Sequence, residues 1–280
     1  MKEAGGWESS KGGEKLGDLQ DANKIAWEKR SRFFGASLRG VLFKGLPDVV
    51  NEHLHHWQEE IILNSIEWKP ELKILDIGCG YGRLSLPVIG KFPDAEIEGV
   101  DISEHYAALY RENTRHPAFV GPIEDIPSDL GVFDYIICVT VLMYLDNGKL
   151  EKATSNLLLH LKQDGRLILI EPHFSGYPFQ TACGLLPFLV KRVQKDTLDT
   201  RGRYFRSKEV EKRFSKSGGK VLLERRLPMT SLFFVPLTLS GKLLPNRVVK
   251  WICKLLALFD DLFSRFQLPS VHVAYLIARE

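Results

Sequence analysis

Between residues 67 and 172 the apolar positions fall into short runs of three to six, separated by longer stretches in which apolar and charged residues recur at helical spacing. The runs predict strands over 73–77, 96–101, 118–120, 134–139 and 166–171, with helices after Gly82, Ser103 and Asn147. Strands alternating with amphipathic helices imply a mostly parallel sheet covered on both faces. Two further runs, 220–226 and 272–278, read as strands that close the sheet as a hairpin-like pair with a helical excursion between them. No internal repeat is visible.

The flanks follow different patterns. Residues 1–20 are rich in Gly, Lys and Glu and poor in apolar side chains, which predicts a loose tail. From 21 to 66 the reading is helical, with Asp21 as a cap, a break at Gly45-Leu46-Pro47 and a second helix over 48–65. The main domain then covers 67–280, with helical insertions at about 176–216 and 230–268. Late in the second insertion Arg247, Lys250, Lys254, Asp261 and Arg265 recur at helical spacing. They leave a wide face of Val249, Trp251, Ile252, Leu255, Leu256, Phe259, Leu262 and Phe263. Packing as a lid against the sheet and the N-terminal helices would cover that face; a lipid acceptor or an interfacial membrane contact is the alternative.

Composition narrows the classes. A 280-residue chain that is 44% hydrophobic has enough material for a sizeable core. A net charge of +3 is too mild to point to nucleic acid. Cys79, Cys138, Cys183 and Cys253 show no paired metal spacing and fit a reducing cytoplasm. The longest stretch free of acidic and basic residues, 172–190, is broken by Pro178, Pro187, Gly176, Gly184 and Gln180. The expectation is a soluble chain, or at most one peripheral to a membrane. A basic stretch, Lys191, Arg192, Lys195, Arg201, Arg203, Arg206, Lys208, Lys212 and Arg213, reads first as a solvated face and second as a site for a phosphate- or carboxylate-bearing acceptor.

The chemistry starts at Ile74-Leu75-Asp76-Ile77-Gly78-Cys79-Gly80-Tyr81-Gly82-Arg83, three glycines directly after a buried strand and before a helix beginning near Arg83. Glycines there allow a sharp turn and let a ligand approach the helix N-terminus. The next strand ends in Asp101, 23 residues after Gly78, where a carboxylate can accept from both ribose hydroxyls of an adenosine. A dinucleotide loop wants its third glycine three residues after the second, and Arg83 stands there instead.

The spelling Asp76-x-Gly78-x-Gly80-x-Gly82 resembles motif I of the class I S-adenosylmethionine-dependent methyltransferases. The resemblance continues through Asp101, through Phe119-Val120-Gly121-Pro122-Ile123-Glu124-Asp125-Ile126-Pro127, through Phe133-Asp134-Tyr135-Ile136-Ile137-Cys138, and through Leu161-Lys162-Gln163-Asp164-Gly165-Arg166-Leu167. It covers about residues 73–172. It implies a Rossmann-like, doubly wound seven-stranded α/β sheet with N-terminal helices and a helical lid before the last strand. It also implies S-adenosylmethionine as cofactor, held by Asp76, Gly78, Gly80, Gly82, Asp101, Ile102, Ile123, Glu124 and Val139. Pro122 departs from the family where relatives often place an acid toward the adenine amino group, which shifts that contact to the Ile123 amide and to Glu124 or Asp125.

A sulfonium methyl is already activated, so alignment of the acceptor is most of the catalysis, and a base is needed only for a hydroxyl or an acidic carbon. Ligands in such sheets gather beyond the carboxyl ends of the strands, which selects Glu171 and His173 as candidate catalytic residues and Tyr144 as an aromatic wall. The competing reading gives Glu171 a backbone amide as partner and leaves His173 an ordinary loop residue. His53-Leu54-His55-His56 with Glu52 and Glu60 suggests a metal, but such spacing is common on a solvated helix and no second ligand cluster stands elsewhere, so none is expected. The expected acceptor is a small or lipid-like hydrophobic molecule, methylated at oxygen. The alternatives are RNA methylation and a catalytically silent cofactor-fold partner protein.

Overall fold

The structure, a computed structural model, describes residues 16–43, 46–179 and 202–280. Three helices lead the chain: α1 (Leu16–Phe34), α2 (Leu38–Val41) and α3 (Asp48–Ser65). The α/β body follows as β1 (Lys73–Ile77), α4 (Ser85–Lys91), β2 (Glu96–Asp101), α5 (Glu104–Thr114), β3 (Ala118–Val120), β4 (Phe133–Val139), α6 (Asn147–Leu159) and β5 (Leu161–Pro172). After it come α7 (Ser207–Lys216), β6 (Gly219–Arg226), α8 (Pro228–Leu232), α9 (Phe234–Leu243), α10 (Asn246–Phe263) and β7 (His272–Arg279).

The seven strands lie in the order β3-β2-β1-β4-β5-β7-β6. β1 pairs in parallel with β2 and β4, β4 with β5, and β7 runs antiparallel between β5 and β6. The central strands are buried on both faces, as their unbroken apolar runs require: every residue of β4 is buried. One apolar layer joins β1, β4, β5 and β7 to α6 and α7 through Leu75, Ile136, Leu157, Leu169, Phe214 and Tyr275. The opposite layer joins Ile74, Ile97, Ile137 and Ile168 to Ile62 of α3 and Val88 of α4.

Several boundaries differ from the sequence reading. α1 starts at Leu16, inside the stretch expected to be a loose tail, and position 21, expected to cap it, lies within it. α4 starts at Ser85 rather than near Arg83, after the left-handed turn at Gly82 (φ +87°), whose carbonyl accepts from the Leu86 amide. β5 extends back to Leu161, which pairs with Phe133 across a register shift. Part of the basic stretch (Lys191, Arg192, Lys195, Arg201), Cys183 and most of the first insertion lie outside the described residues. Cys79, Cys138 and Cys253 are free and buried.

α8, α9 and α10 pack on α3. Val249, Cys253 and Leu256 meet Val50 and Leu54, with Phe234 and Leu237 between them. Buried Asp260 fixes the rotation of α10 by accepting from the Met229 and Thr230 amides, and His53 on α3 meets the Thr230 hydroxyl at 2.7 Å. None of these helices reaches the large cavity described below. Among the described residues that cavity is walled on this side by α1, by Val41 and by Gly202 and Arg203 of the first insertion.

Candidate active site

Reversal of strand order at β1 and β4 opens a crevice beyond their carboxyl ends, where ligands of such sheets collect. A cavity of ≈ 480 Å³ fills it, within the range that encloses a small organic ligand. Asp76, Gly78, Gly80, Asp101, Ile102, Ile123, Glu124 and Val139 all line it. Gly82, the remaining predicted contact, does not: a Cβ there would lie 2.5 Å from Thr114 Cγ2, so it lets the loop close against α5.

The floor is backbone geometry. Gly78, at φ +69°, passes so close to the β4 exit that an added Cβ would stand 2.4 Å from Val141 Cγ2. The Gly78 and Cys79 amides donate to Val100 O, tying the loop to β2. Asp101 then orders the loop directly: its Oδ2 accepts from the Gly80 amide at 2.9 Å and its Oδ1 from the Ser103 amide at 2.8 Å. Ser103 caps α5, accepting from the Tyr106 amide. An ionised carboxylate has about four acceptor positions, so two stay available toward the cavity.

Asp76 is tethered from behind, accepting from the Ser85 hydroxyl at 2.7 Å, which in turn accepts from Tyr110. Burial pushes the Asp76 carboxyl up to about 7, against the opposing effects of the Ser85 bond and of Arg83. Burial likewise lifts Asp101 to about 6, opposed by the Ser103 and Gly80 amides. Two buried acids facing one cavity with raised pKa values are groups that a cationic ligand would return to the charged form. Arg83, buried and lowered to about 10 by desolvation, meets His55 Nδ1 at 2.8 Å.

On the β3 side Glu124 faces the cavity and pairs with Lys149 at 3.2 Å, whereas Asp125 is exposed. Of the two acids considered for the position beyond Pro122, Glu124 is the one at the cavity. The opposite wall is Asn23, Trp27, Val41, Tyr106, Met143, Tyr144 and Arg203. Trp27 meets Tyr144 edge-on at 5.3 Å and Asn23 donates to Tyr144 O. Glu28 fastens α1 to the start of α5 by accepting from the Ser103 hydroxyl and the His105 amide. Trp27, Asn23, Tyr106 and Thr140 were not singled out by sequence.

Glu171 and His173 each bond to separate partners, and neither lines the cavity. Glu171 Oε1 accepts from the Val141 and Leu142 amides at 3.0 and 2.7 Å, the first turn after β4; burial raises it to about 8, opposed by those amides. Thr140 within that exit has φ +55°, a strained value for a β-branched residue. His173 Nδ1 accepts from the Ser175 amide and its ring meets Ser175 and Ser207 hydroxyls; burial lowers it to about 4, so it is neutral. His55 and His56 lie near Glu59, and no group of three metal-ligating side chains forms among the described residues.

Residues 74–165 match the family model described as a methyltransferase domain. The chain is 25% identical over 132 residues to a ubiquinone biosynthesis O-methyltransferase of Rickettsia akari, covering 46% of this chain and 51% of that protein. It is 28% identical over 109 residues to the mitochondrial ubiquinone biosynthesis O-methyltransferase of Saccharomyces cerevisiae, covering 36% and 34%. It thus spans about half or less of the length of these relatives. Among solved structures, the cyclopropane synthase MmaA2 of Mycobacterium tuberculosis superposes with a TM-score of 0.59 at 16% identity, covering 94% of this chain and 98% of that one. The magnesium protoporphyrin IX methyltransferase ChlM of Synechocystis, with bound SAH, gives 0.54 at 18% identity, covering 75% and 92%. At these identities the likeness establishes the fold.

Proposed function

We propose that this chain is a class I S-adenosylmethionine-dependent methyltransferase that transfers a methyl group to oxygen of a small, largely apolar acceptor. The observation that carries the reading is the convergence of Asp101, the glycine loop and Asp76 on one cavity whose remaining wall is aromatic and apolar. The residues fit the cofactor: glycines stand where side chains would crowd the loop, and two buried carboxylates face a space where a sugar and an ammonium would need acceptors. When bound, the cofactor supplies an electrophilic methyl on sulfur.

Asp101 would accept the ribose hydroxyls, Asp76 would face the aminoacyl end, and Glu124 with Ile123 would meet the base. Trp27, Met143 and Tyr144 would hold the acceptor and exclude water. Alignment by these walls is the main contribution expected of the protein. Glu171 is assigned a positioning role, holding the β4 exit, and His173 a structural one. The ubiquinone-pathway names of the relatives support an apolar, oxygen-bearing acceptor.

The test is methyl transfer from labelled cofactor to a panel of prenylated phenols and catechols alongside structured RNA. Label in the phenols supports the proposal; label in RNA alone overturns the acceptor class. No S-adenosylhomocysteine binding by calorimetry would overturn the activity itself. Trp27→Ala should raise the KM for the acceptor roughly tenfold, the value of about one aromatic contact plus water exclusion, while S-adenosylhomocysteine affinity stays near parental. If Trp27 only packs α1, the acceptor KM will stay unchanged while the melting temperature falls.

Binding should also depend on pH. The raised Asp76 has to lose its proton before it can meet a ligand ammonium. Each pH unit below about 7 should therefore cost up to roughly tenfold in affinity. An affinity flat from pH 7.5 to 5.5, measured by calorimetry, would remove Asp76 from that role.

A further inference from the structure

α10 is 18 residues long, and it is apolar on two faces that do not coincide. Val249, Cys253, Leu256 and Asp260 point into the protein. Trp251, Leu255, Leu258, Phe259 and Leu262 are exposed, Trp251 at 66% and Leu258 at 67%, and Phe266 continues the row. At 3.6 residues per turn the five helical positions fall within an arc of about 100° pointing away from the buried face, and Phe266 lies in the turn beyond the helix. Leu243 of α9 and Phe233 just before it are exposed as well, so the outward apolar character is not confined to one turn.

The helix cannot turn that row inward. Asp260 is held by the Met229 and Thr230 amides, and Lys250 is paired with Glu52 of α3 at 2.9 Å. Burying the exposed leucines would drag the Asp260 carboxylate into water and break its capping of α8. The exposed row is therefore a built surface rather than loose packing.

Charge identifies what fits it. Exposed Arg247 and Lys254 lie within about 40° of one border of the arc and exposed Arg265 follows in the turn after the helix, three cations against the one exposed acid, Asp261, along the edge of an apolar strip. A helix with Trp, Phe and Leu on one side and a basic rim has the arrangement that seats in a bilayer interface, with the rim at anionic headgroups. No described helix is long and apolar enough to cross a membrane. We infer that α10 lies flat on an anionic bilayer surface, inserting Trp251, Leu258 and Leu262 while Arg247, Lys254 and Arg265 contact the headgroups. This goes beyond the proposed methyl transfer and stands on observations separate from it.

The experiment is sedimentation of the full chain with vesicles of phosphatidylcholine alone or with about one-third phosphatidylserine. Binding is expected only to the anionic vesicles and should weaken with salt. Lys254→Ala with Arg265→Ala should lower the affinity about 25-fold, about fivefold per cation. Trp251→Glu with Leu262→Glu should abolish it. Circular dichroism and melting of each double variant should match the parent, since all four side chains are exposed. Absence of binding to the anionic vesicles, or equal binding by either variant, overturns the proposal. So does a dimer in sedimentation velocity that the glutamates dissociate while vesicle binding persists, because a second copy would then be the occupant. None of these readouts requires cofactor binding, so failure of the methyltransferase reading would be seen separately.

Discussion

Asp101→Ala should reduce affinity for S-adenosylhomocysteine by about 100-fold, measured by calorimetry near pH 7.5. The figure rests on losing charged hydrogen bonds at roughly 1.5–3 kcal/mol each. Two losses combine. The ribose would lose its acceptor, and the Gly80 and Ser103 amides would lose theirs, so the loop that forms the cavity floor would be freed. Asp101→Asn separates them, because its single carbonyl oxygen can still serve one amide while its NH2 group opposes the other. It should bind more weakly than the parent yet melt closer to it than the alanine variant. If Asp101→Ala binds as tightly as the parent, the carboxylate is a loop anchor only and the ribose assignment fails.

Why this residue was readable from the chain is instructive. Asp101 and the glycines are fixed by local rules: a buried parallel strand must read as an apolar run, it must end at the carboxyl edge, and the turn that follows needs left-handed residues. The observed bounds of β1, Lys73–Ile77, coincide with its apolar run for that reason, and those of β2 and β3 match the predicted 96–101 and 118–120. The acceptor-side wall is set differently. Trp27 reaches the cavity only because Glu28 pins α1 to the start of α5, a contact between residues 75 and 77 positions apart. Nothing in the spacing of Trp27 distinguishes a cavity wall from a core face. The same holds for α10, whose periodicity showed a wide apolar face but not that Asp260 would orient half of it to solvent. Strain is also invisible in sequence: Thr140 takes φ +55° because the β4 exit is held from both sides, by Ile170 O and by the Glu171 carboxyl.

That exit gives the second large effect. Glu171→Ala should lower stability by about 3 kcal/mol, since the Val141 and Leu142 amides would be buried without an acceptor at roughly 1–3 kcal/mol each. For a chain of this size that is a fall of about 10 °C in melting temperature. Turnover should decline with it, because Val141, Met143 and Tyr144 in the cavity wall follow directly from the turn. Glu171→Gln tells positioning from proton transfer. Its amide oxygen can accept the same two bonds, so a positioning role predicts near-parental kcat with at most a modest rise in KM, and an unchanged pH profile. A base would be lost altogether, with kcat falling 100-fold or more. The pH dependence of stability provides an independent reading. The folded-state pKa of Glu171 is raised to about 8, above its ordinary value of 4.5, so the folded protein holds a proton there that the unfolded chain has released. Its contribution to stability is therefore full at low pH and is lost as pH rises toward 8. Asp76 acts in the same sense only up to about 7. Between pH 7 and 8 the ligand-free parent should thus lose melting temperature while Glu171→Gln stays flat. Parallel curves across that interval would mean that Glu171 is already ionised in the folded state and holds the turn as a carboxylate.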